Sequence, residues 1–321
     1  MKQKILFLSL ILTLILAACG PVPVPGVTTP VPATQVPITA STALTFTDGL
    51  DRTITLPAVP QRIVSMAPSN TEILYAVGAG AQVVGRDDFT DYPVEALDLP
   101  TIGGNMGSYS LEAITALEPD LVLAAEINTP EQVAALEELG ITVYYLSNPT
   151  DIEGMFVNLI TVGQLTGHED EANTLVDSLR TRVQAVQTAV GPLDYIPMVF
   201  YELDGSDPSK PWTVGAGTFV DQLISMAGGS NGASSMSSEY GQFSLEELLV
   251  IDPQIILLGD SVYGVTPEQV AARPGWDALT AVQTSQVFGF DDDLVSRPGP
   301  RMVDGLEALV EILHPGLLAG N

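Results

Sequence analysis

The chain is poor in the residues on which most enzymes and metal receptors depend. Its 321 residues hold one cysteine, Cys19, and two histidines, His168 and His314. A lone cysteine excludes any disulfide within the chain, so the fold rests on its apolar core. It also leaves little for nucleophilic catalysis, and two histidines cannot supply the several that a bare zinc or manganese receptor ordinarily needs. No Gly-x-Ser-x-Gly elbow, phosphate-binding P-loop or dinucleotide fingerprint is present. Gly78-Ala-Gly80 and Gly215-Ala-Gly217 read as turn and helix-entry glycines. Basic residues are scarce as well: Lys and Arg number 11 against 39 Asp and Glu, a formal charge of −28. That balance excludes nucleic-acid binding through backbone phosphates and gives a solvated, aggregation-resistant surface.

Long hydrophobic runs are limited to Ile5–Leu16, broken by Ser9 and Thr13 and preceded by Lys2 and Lys4. The run is too short for a membrane span of about 20 residues and reads as a secretory leader. Leu16-Ala17-Ala18-Cys19 places small residues before the cysteine, the pattern of a bacterial lipoprotein whose Cys19 thiol is lipidated. Residues 1–18 are thus expected to be a signal peptide, and the mature protein to be extracytoplasmic and held to the membrane by its lipid. From Gly20 to Thr47 there is no charged residue and there are six prolines. Residues 19–45 are therefore expected to be an extended tether.

What is present is a phrase that occurs twice. Ser110-Leu-Glu-Ala-Ile-Thr-Ala-Leu-Glu-Pro-Asp-Leu-Val-Leu123 returns as Ser244-Leu-Glu-Glu-Leu-Leu-Val-Ile-Asp-Pro-Gln-Ile-Ile-Leu257. Each copy reads as a Ser-capped helix, an acidic-Pro turn and a buried strand. The wide spacing implies two similar lobes rather than a short-period solenoid. Strands alternating with helices imply an α/β fold with mainly parallel sheets: two Rossmann-like lobes, 46–165 and 191–321, with a ligand cleft between them. Phe46–Leu56 reads as a hairpin, Pro68-Ser-Asn70 as a turn and Thr71–Val77 as a helix. No strand interrupts 152–190, where Glu169–Val190 carries apolar residues at helical spacing, so 166–190 is expected to be a rigid linker helix.

Aromatic and arginine residues at strand ends are the candidate ligand contacts: Arg86, Phe89, Tyr92, Met106 and Tyr109 in the first lobe, and Tyr201, Trp212, Tyr240, Tyr263 and Arg297 in the second. Open parallel sheets bind ligands at their carboxyl edges. Aromatic walls suit a large planar or apolar ligand, and arginine suits an anionic group. Arg297 lies in Arg297-Pro-Gly-Pro-Arg301, a stiff loop facing the expected cleft. Asp291-Asp292-Asp293 reads as a solvated loop rather than a calcium site.

These features together resemble the helical-backbone substrate-binding proteins of ABC importers, which receive cobalamin, haem and ferric siderophores. The resemblance is carried by residues 60–78, Asp91-Tyr-Pro93, Leu111-Glu-Ala-Ile with Glu118-Pro-Asp-Leu-Val122, the linker helix and Arg297–Arg301. It implies a binding protein rather than an enzyme, with no cofactor of its own, monomeric, carrying a metal chelate to a dimeric permease with its ATPase. It further implies that Glu112 and Glu246, one per lobe, dock onto permease arginines. Phe89-Thr-Asp-Tyr-Pro93 is similar to a cobalamin-contacting loop with Phe in place of Tyr, and Tyr240 matches a Trp position. Other aromatic positions fall on Ala125 and Leu203. A haem would use Tyr92, Tyr109 or Tyr201 as axial ligand, and a ferric siderophore would use Arg297 and Arg86. A chelatase-like enzyme and a surface sensing or adhesion lipoprotein are the alternatives on such a scaffold.

Overall fold

A computed structural model describes residues 43–320, so the leader, Cys19 and most of the tether lie outside the described residues. Alternating residues around Asp48-Gly49 form an antiparallel hairpin, β1 (Leu44–Thr47) and β2 (Thr53–Leu56). Its first strand takes in Leu44 and Thr45, which the sequence reads as tether. The hairpin docks on the first lobe: the Gly49 amide donates to the Tyr145 carbonyl at 2.8 Å and the Tyr144 hydroxyl to the Thr47 carbonyl at 3.1 Å.

The first lobe runs β3 (Ile63–Ser65), α1 (Pro68–Ala76), β4 (Val83–Gly85), α2 (Leu111–Ala116), β5 (Leu121–Ala125), α3 (Pro130–Glu138) and β6 (Val143–Leu146). The strands order as β4-β3-β5-β6, all parallel. β3, β5 and β6 are buried along their whole length, as a sheet covered on both faces requires. Pro68-Ser-Asn70 is not a separate turn but the opening of α1, because proline at the start of a helix lacks only an amide that has no partner there.

Two consecutive helices follow, α4 (Ile152–Thr166) and α5 (Glu169–Val190). Gly167, at φ 76°, ends the first. Their junction is tight, since a Cβ on Gly163 would stand 2.9 Å from the His168 carbonyl oxygen. The 22 residues of α5 give a strut of about 33 Å.

The second lobe repeats the plan with more strands: β7 (Met198–Asp204), β8 (Trp212–Val214), α6 (Phe219–Met226), β9 (Ser230–Asn231), β10 (Tyr240–Gln242), α7 (Leu245–Ile251), β11 (Ile255–Leu258), α8 (Pro267–Ala271), α9 (Thr280–Gln283), β12 (Val287–Gly289), α10 (Asp293–Ser296) and α11 (Met302–Leu313). The order is β10-β8-β7-β11-β12, with β9 beside β7. The β7, β9, β11 and β12 pairings are parallel, while β8 and β10 pair antiparallel.

The strut is welded to both lobes. Its buried face, Ala172, Val176, Leu179, Val183 and Val186, belongs to one apolar cluster that runs from Ile63 and Leu121 in the first sheet to Tyr201 and Leu257 in the second. Arg182 on α5 grips α11, its Nε and Nη2 donating to Glu307 at 2.9 and 2.6 Å and its Nη2 to Asp304 at 2.6 Å. The two repeat copies also fold alike. Ser110 and Ser244 cap α2 and α7, and the acidic residues before the prolines, Glu118 and Asp252, are both left-handed at φ 46° and 42°.

Candidate ligand cleft

In both copies of the repeat a short helix turns straight into a parallel strand, so the helix runs against the strand and begins at the sheet's carboxyl edge. The Ser110 amide donates to the Ile102 carbonyl at 2.8 Å, in the segment that follows β4, and the Leu245 amide to the Ser209 carbonyl at 2.9 Å, in the loop after β7. Glu112 and Glu246 are both exposed and stand at these helix starts. In the second copy Glu247, not Glu246, closes the capping box, its carboxylate accepting from the Ser244 amide at 2.9 Å. Glu246 takes no part in that cap. Each glutamate borders a shallow hollow. One, about 530 Å³, is walled by Leu111, Thr115, Ala116 and Leu139; the other, about 550 Å³, by Ser235, Phe243, Ser244, Glu247, Val250 and Ile251.

The same edge carries the sequence's aromatic candidates, and the structure sorts them. Phe89 and Tyr92, in the loop after β4, and Trp212, Tyr240 and Tyr263 in the second lobe are exposed. Trp212 and Tyr240, both named from the sequence, sit on β8 and β10, strands of three residues that the sequence reading did not place. Tyr109 is half-buried and donates its hydroxyl to the Met66 carbonyl at 3.0 Å. The side chain of Met106 lies outside the described residues.

Three candidates are employed within the protein. Tyr201 is fully buried and donates to Asp292 Oδ1 at 2.7 Å against the edge of the Phe290 ring. Burial, reinforced by Asp292, pushes its hydroxyl well above the usual tyrosine range. Arg86 spends its guanidinium on backbone carbonyls of its own loop, reaching Ala96 and Asp87 at 3.0 Å and Thr90 at 3.2 Å. It shapes the loop that presents Phe89 and Tyr92. Beneath it Asp87 is buried, accepting from the Phe89 amide at 2.8 Å, and its carboxyl is raised above the ordinary range by that burial.

Arg297 is the third, and it revises the expectation of a free cation facing an anionic ligand. It reaches the first lobe, contacting Asp91 and, at 3.3 Å, Glu72, and also pairs with Asp293 at 2.9 Å. Arg301 joins it, its Nε and Nη2 donating to Glu72 at 2.8 and 2.6 Å while its guanidinium carbon lies 4.3 Å from the Tyr92 ring centroid. Sequence reasoning passed over Glu72, whose carboxylate has no solvent exposure. The residue lies inside the Ser69-Asn-Thr-Glu72 stretch that carries the resemblance, and that was the available signal. The cluster clasps the lobes together, because Glu72 and Asp91 come from one and both arginines from the other. Glu72, Tyr92 and Arg301 also line a hollow of about 450 Å³ whose wall is completed by Leu175 and Leu179 of the strut.

Asp293 is the odd carboxylate. Burial, together with the charges of Asp91 and Asp291, outweighs Arg297 and pushes it up to about 6. A value above the ordinary one, about 3.9, means that the folded protein holds a proton at pH values where the unfolded chain has released it. Stability from this group therefore rises as pH falls through about 6, and the ionised carboxylate is a standing cost above that point. Asp293→Asn is expected to stabilise the protein by about 1 kcal/mol at about pH 7.5, a figure discounted for partial exposure, with the gain vanishing near pH 4. Chemical denaturation of both proteins across that range checks it.

Comparison with known proteins agrees with this architecture. The model of the periplasmic binding protein family matches residues 63–294. The uncharacterized ABC transporter substrate-binding lipoprotein YvrC of Bacillus subtilis is 31% identical over 85% of this chain and 86% of its own length. A vitamin B12-binding protein of Vibrio cholerae is 31% identical over 80% of this chain and 90% of its own. Among solved structures, the periplasmic heme-binding protein of Roseiflexus sp. RS-1 superposes with a TM-score of 0.72 at 27% identity, covering 80% of this chain and 99% of that one.

Proposed function

The chain belongs to the periplasmic binding protein family, and from that premise we propose that it captures a metal chelate outside the cell and delivers it to the permease of an ABC importer. A corrinoid is the first candidate, since relatives from Vibrio cholerae and Halobacterium salinarum are vitamin B12- and cobalamin-binding proteins. The observation that carries the reading is that exposed aromatics from both lobes, Phe89 and Tyr92 with Trp212 and Tyr240, stand near the edges of two sheets whose lobes Arg297 clasps together. Such walls suit a large planar ligand, and a proline-rich tether ending in a lipidated Cys19 suits capture at a membrane surface. Glu112 and Glu246, on the edge that holds the ligand loops, are the permease-docking residues, each beside a shallow hollow, mainly apolar next to Glu112 and mixed in polarity next to Glu246. The carrier works as a monomer.

Ligand binding is expected to stabilise the fold by mass action, about 2.7 kcal/mol when free ligand is a hundredfold above its dissociation constant. Melting curves with cyanocobalamin, haemin and ferric siderophores test this. A rise with one of them supports the reading, and no shift with any removes chelate capture while leaving the fold untouched. Binding is best followed by quenching of Trp212, because Trp276 is fully buried with its indole N–H donating to the Pro208 carbonyl at 2.9 Å.

A further inference from the structure

The arginines of the cleft are already spent, which leaves the exposed Lys210, two residues before Trp212, as the nearest cation outside these pairs among the described residues. Arg86 is turned onto four carbonyls of its own loop. Arg297 meets three carboxylates, and Arg301 shares one of them and lies against Tyr92. Carboxylates outnumber guanidiniums here. Glu72, Asp91 and Asp293 contact the two arginines, and Asp291 lies close enough to act on Arg301 and Asp293. Asp292, which holds Tyr201, raises the hydroxyl of the exposed Tyr240 after burial and Glu239 have done so. Four carboxylates thus surround two guanidiniums where the lobes meet, and a fifth, Asp292, acts on an aromatic residue of the cleft wall. On the first lobe, Asp87 and Asp88 act in the same sense on Tyr109, after its burial.

A ligand carrying carboxylates, catecholates or propionates that entered this cleft would find no unpaired guanidinium among these residues and would meet an unbalanced negative field. To recruit Arg301 it would have to uncover Glu72, whose carboxylate is wholly buried, and to recruit Arg297 it would have to displace Asp91 and Asp293. A neutral or positively charged chelate meets neither obstacle, and its apolar faces can lie on Phe89, Tyr92, Trp212 and Tyr240. A delocalised cation gains further from the faces of those rings.

From this balance we infer that the cleft selects chelates that are neutral or cationic and rejects anionic ones. The inference rests on the reading that the cleft takes a metal chelate, and it narrows the substrate class within it. Neutral corrinoids and cationic ferric hydroxamates share the required chemistry; free haem and ferric catecholates lack it. Asp291, exposed and outside the pairs made by the arginines, is the position from which the field can be changed without opening the clasp.

The test is a fluorescence titration of the protein with four probes: cyanocobalamin (neutral), ferrioxamine B (cationic), haemin (anionic) and ferric enterobactin (triply anionic). At least one of the first two should bind, and both anions should bind at least about tenfold more weakly, the effect of a few uncompensated charges at cleft distances. Which of the first two binds distinguishes a corrinoid from a ferric hydroxamate. The gap should narrow in about 0.5 M salt, because screening reaches partly exposed charges. Asp291→Lys, which reverses one charge, should improve anion binding by about fivefold while leaving the neutral probe unchanged. Haemin or ferric enterobactin binding as tightly as the better of the first two, or an Asp291→Lys protein with unaltered preference, overturns the inference and leaves chelate capture standing. Failure of all four probes to bind overturns chelate capture itself and the inference with it.

Discussion

Arg301→Ala should lower folding stability by about 3 kcal/mol, the lower end of the range for removing one partner of a buried ion pair. Glu72 has no solvent exposure, and Arg301 supplies both of its short hydrogen bonds, at 2.8 and 2.6 Å. Arg297 reaches the same carboxylate only at 3.3 Å and is divided among three acids. Truncation therefore strands a charge in the seam between the lobes and removes the guanidinium from the Tyr92 ring. Thermal unfolding should fall by roughly 5–10 °C for a chain of this size. If stranding is the cause, Glu72→Gln made in the same protein should recover most of the loss, because a neutral amide costs far less to leave half-satisfied. Double-mutant cycles from urea denaturation measure it. Additive losses would show that Arg301 acts only through packing.

The fold was legible where chemistry is local and periodic. Glu169–Val190 showed its apolar face at helical spacing, and the structure has the helix over those residues. The hairpin around Asp48-Gly49 and the twice-used phrase around Glu118 and Asp252 were equally open, because a turn signal and a cap announce themselves in a few residues. What stayed hidden depends on contacts distant in sequence. The three-residue strand β8 exists because β7 offers an edge to pair with, and β10 because β8 then offers another, and no propensity in Trp212–Val214 or Tyr240–Gln242 reveals those edges. At the candidate site the charges were misread. Residue type alone makes Arg297 an anion receptor, and only the folded chain brings Asp91 and Glu72, more than 200 positions earlier, onto its guanidinium. Tyr201 likewise reads as a strand-end aromatic until the fold buries it against Phe290.

The double variant Glu112→Arg/Glu246→Arg should bind ligand normally, melt within a few degrees of the parent protein and fail to support transport. Both side chains are exposed and neither makes a salt bridge among the described residues, so their reversal barely touches folding. At a docked interface the same change sets like charges against each other, a penalty of several kcal/mol. The hollows beside them remain, which keeps the surface shape and isolates the charge. Two equivalent acids at equivalent helix starts fit a partner with two equivalent subunits, each presenting a basic group.

Delivery to a permease is the central claim, and ligand uptake measures it most directly. Proteoliposomes containing the cognate permease and its ATPase would be supplied with ATP, a radiolabelled form of whichever chelate the protein binds, and either the parent protein or the double variant. The account predicts uptake with the parent and only background with the variant, although both proteins carry the chelate. Equal uptake with the two proteins, or none with the chelate-loaded parent, would contradict it.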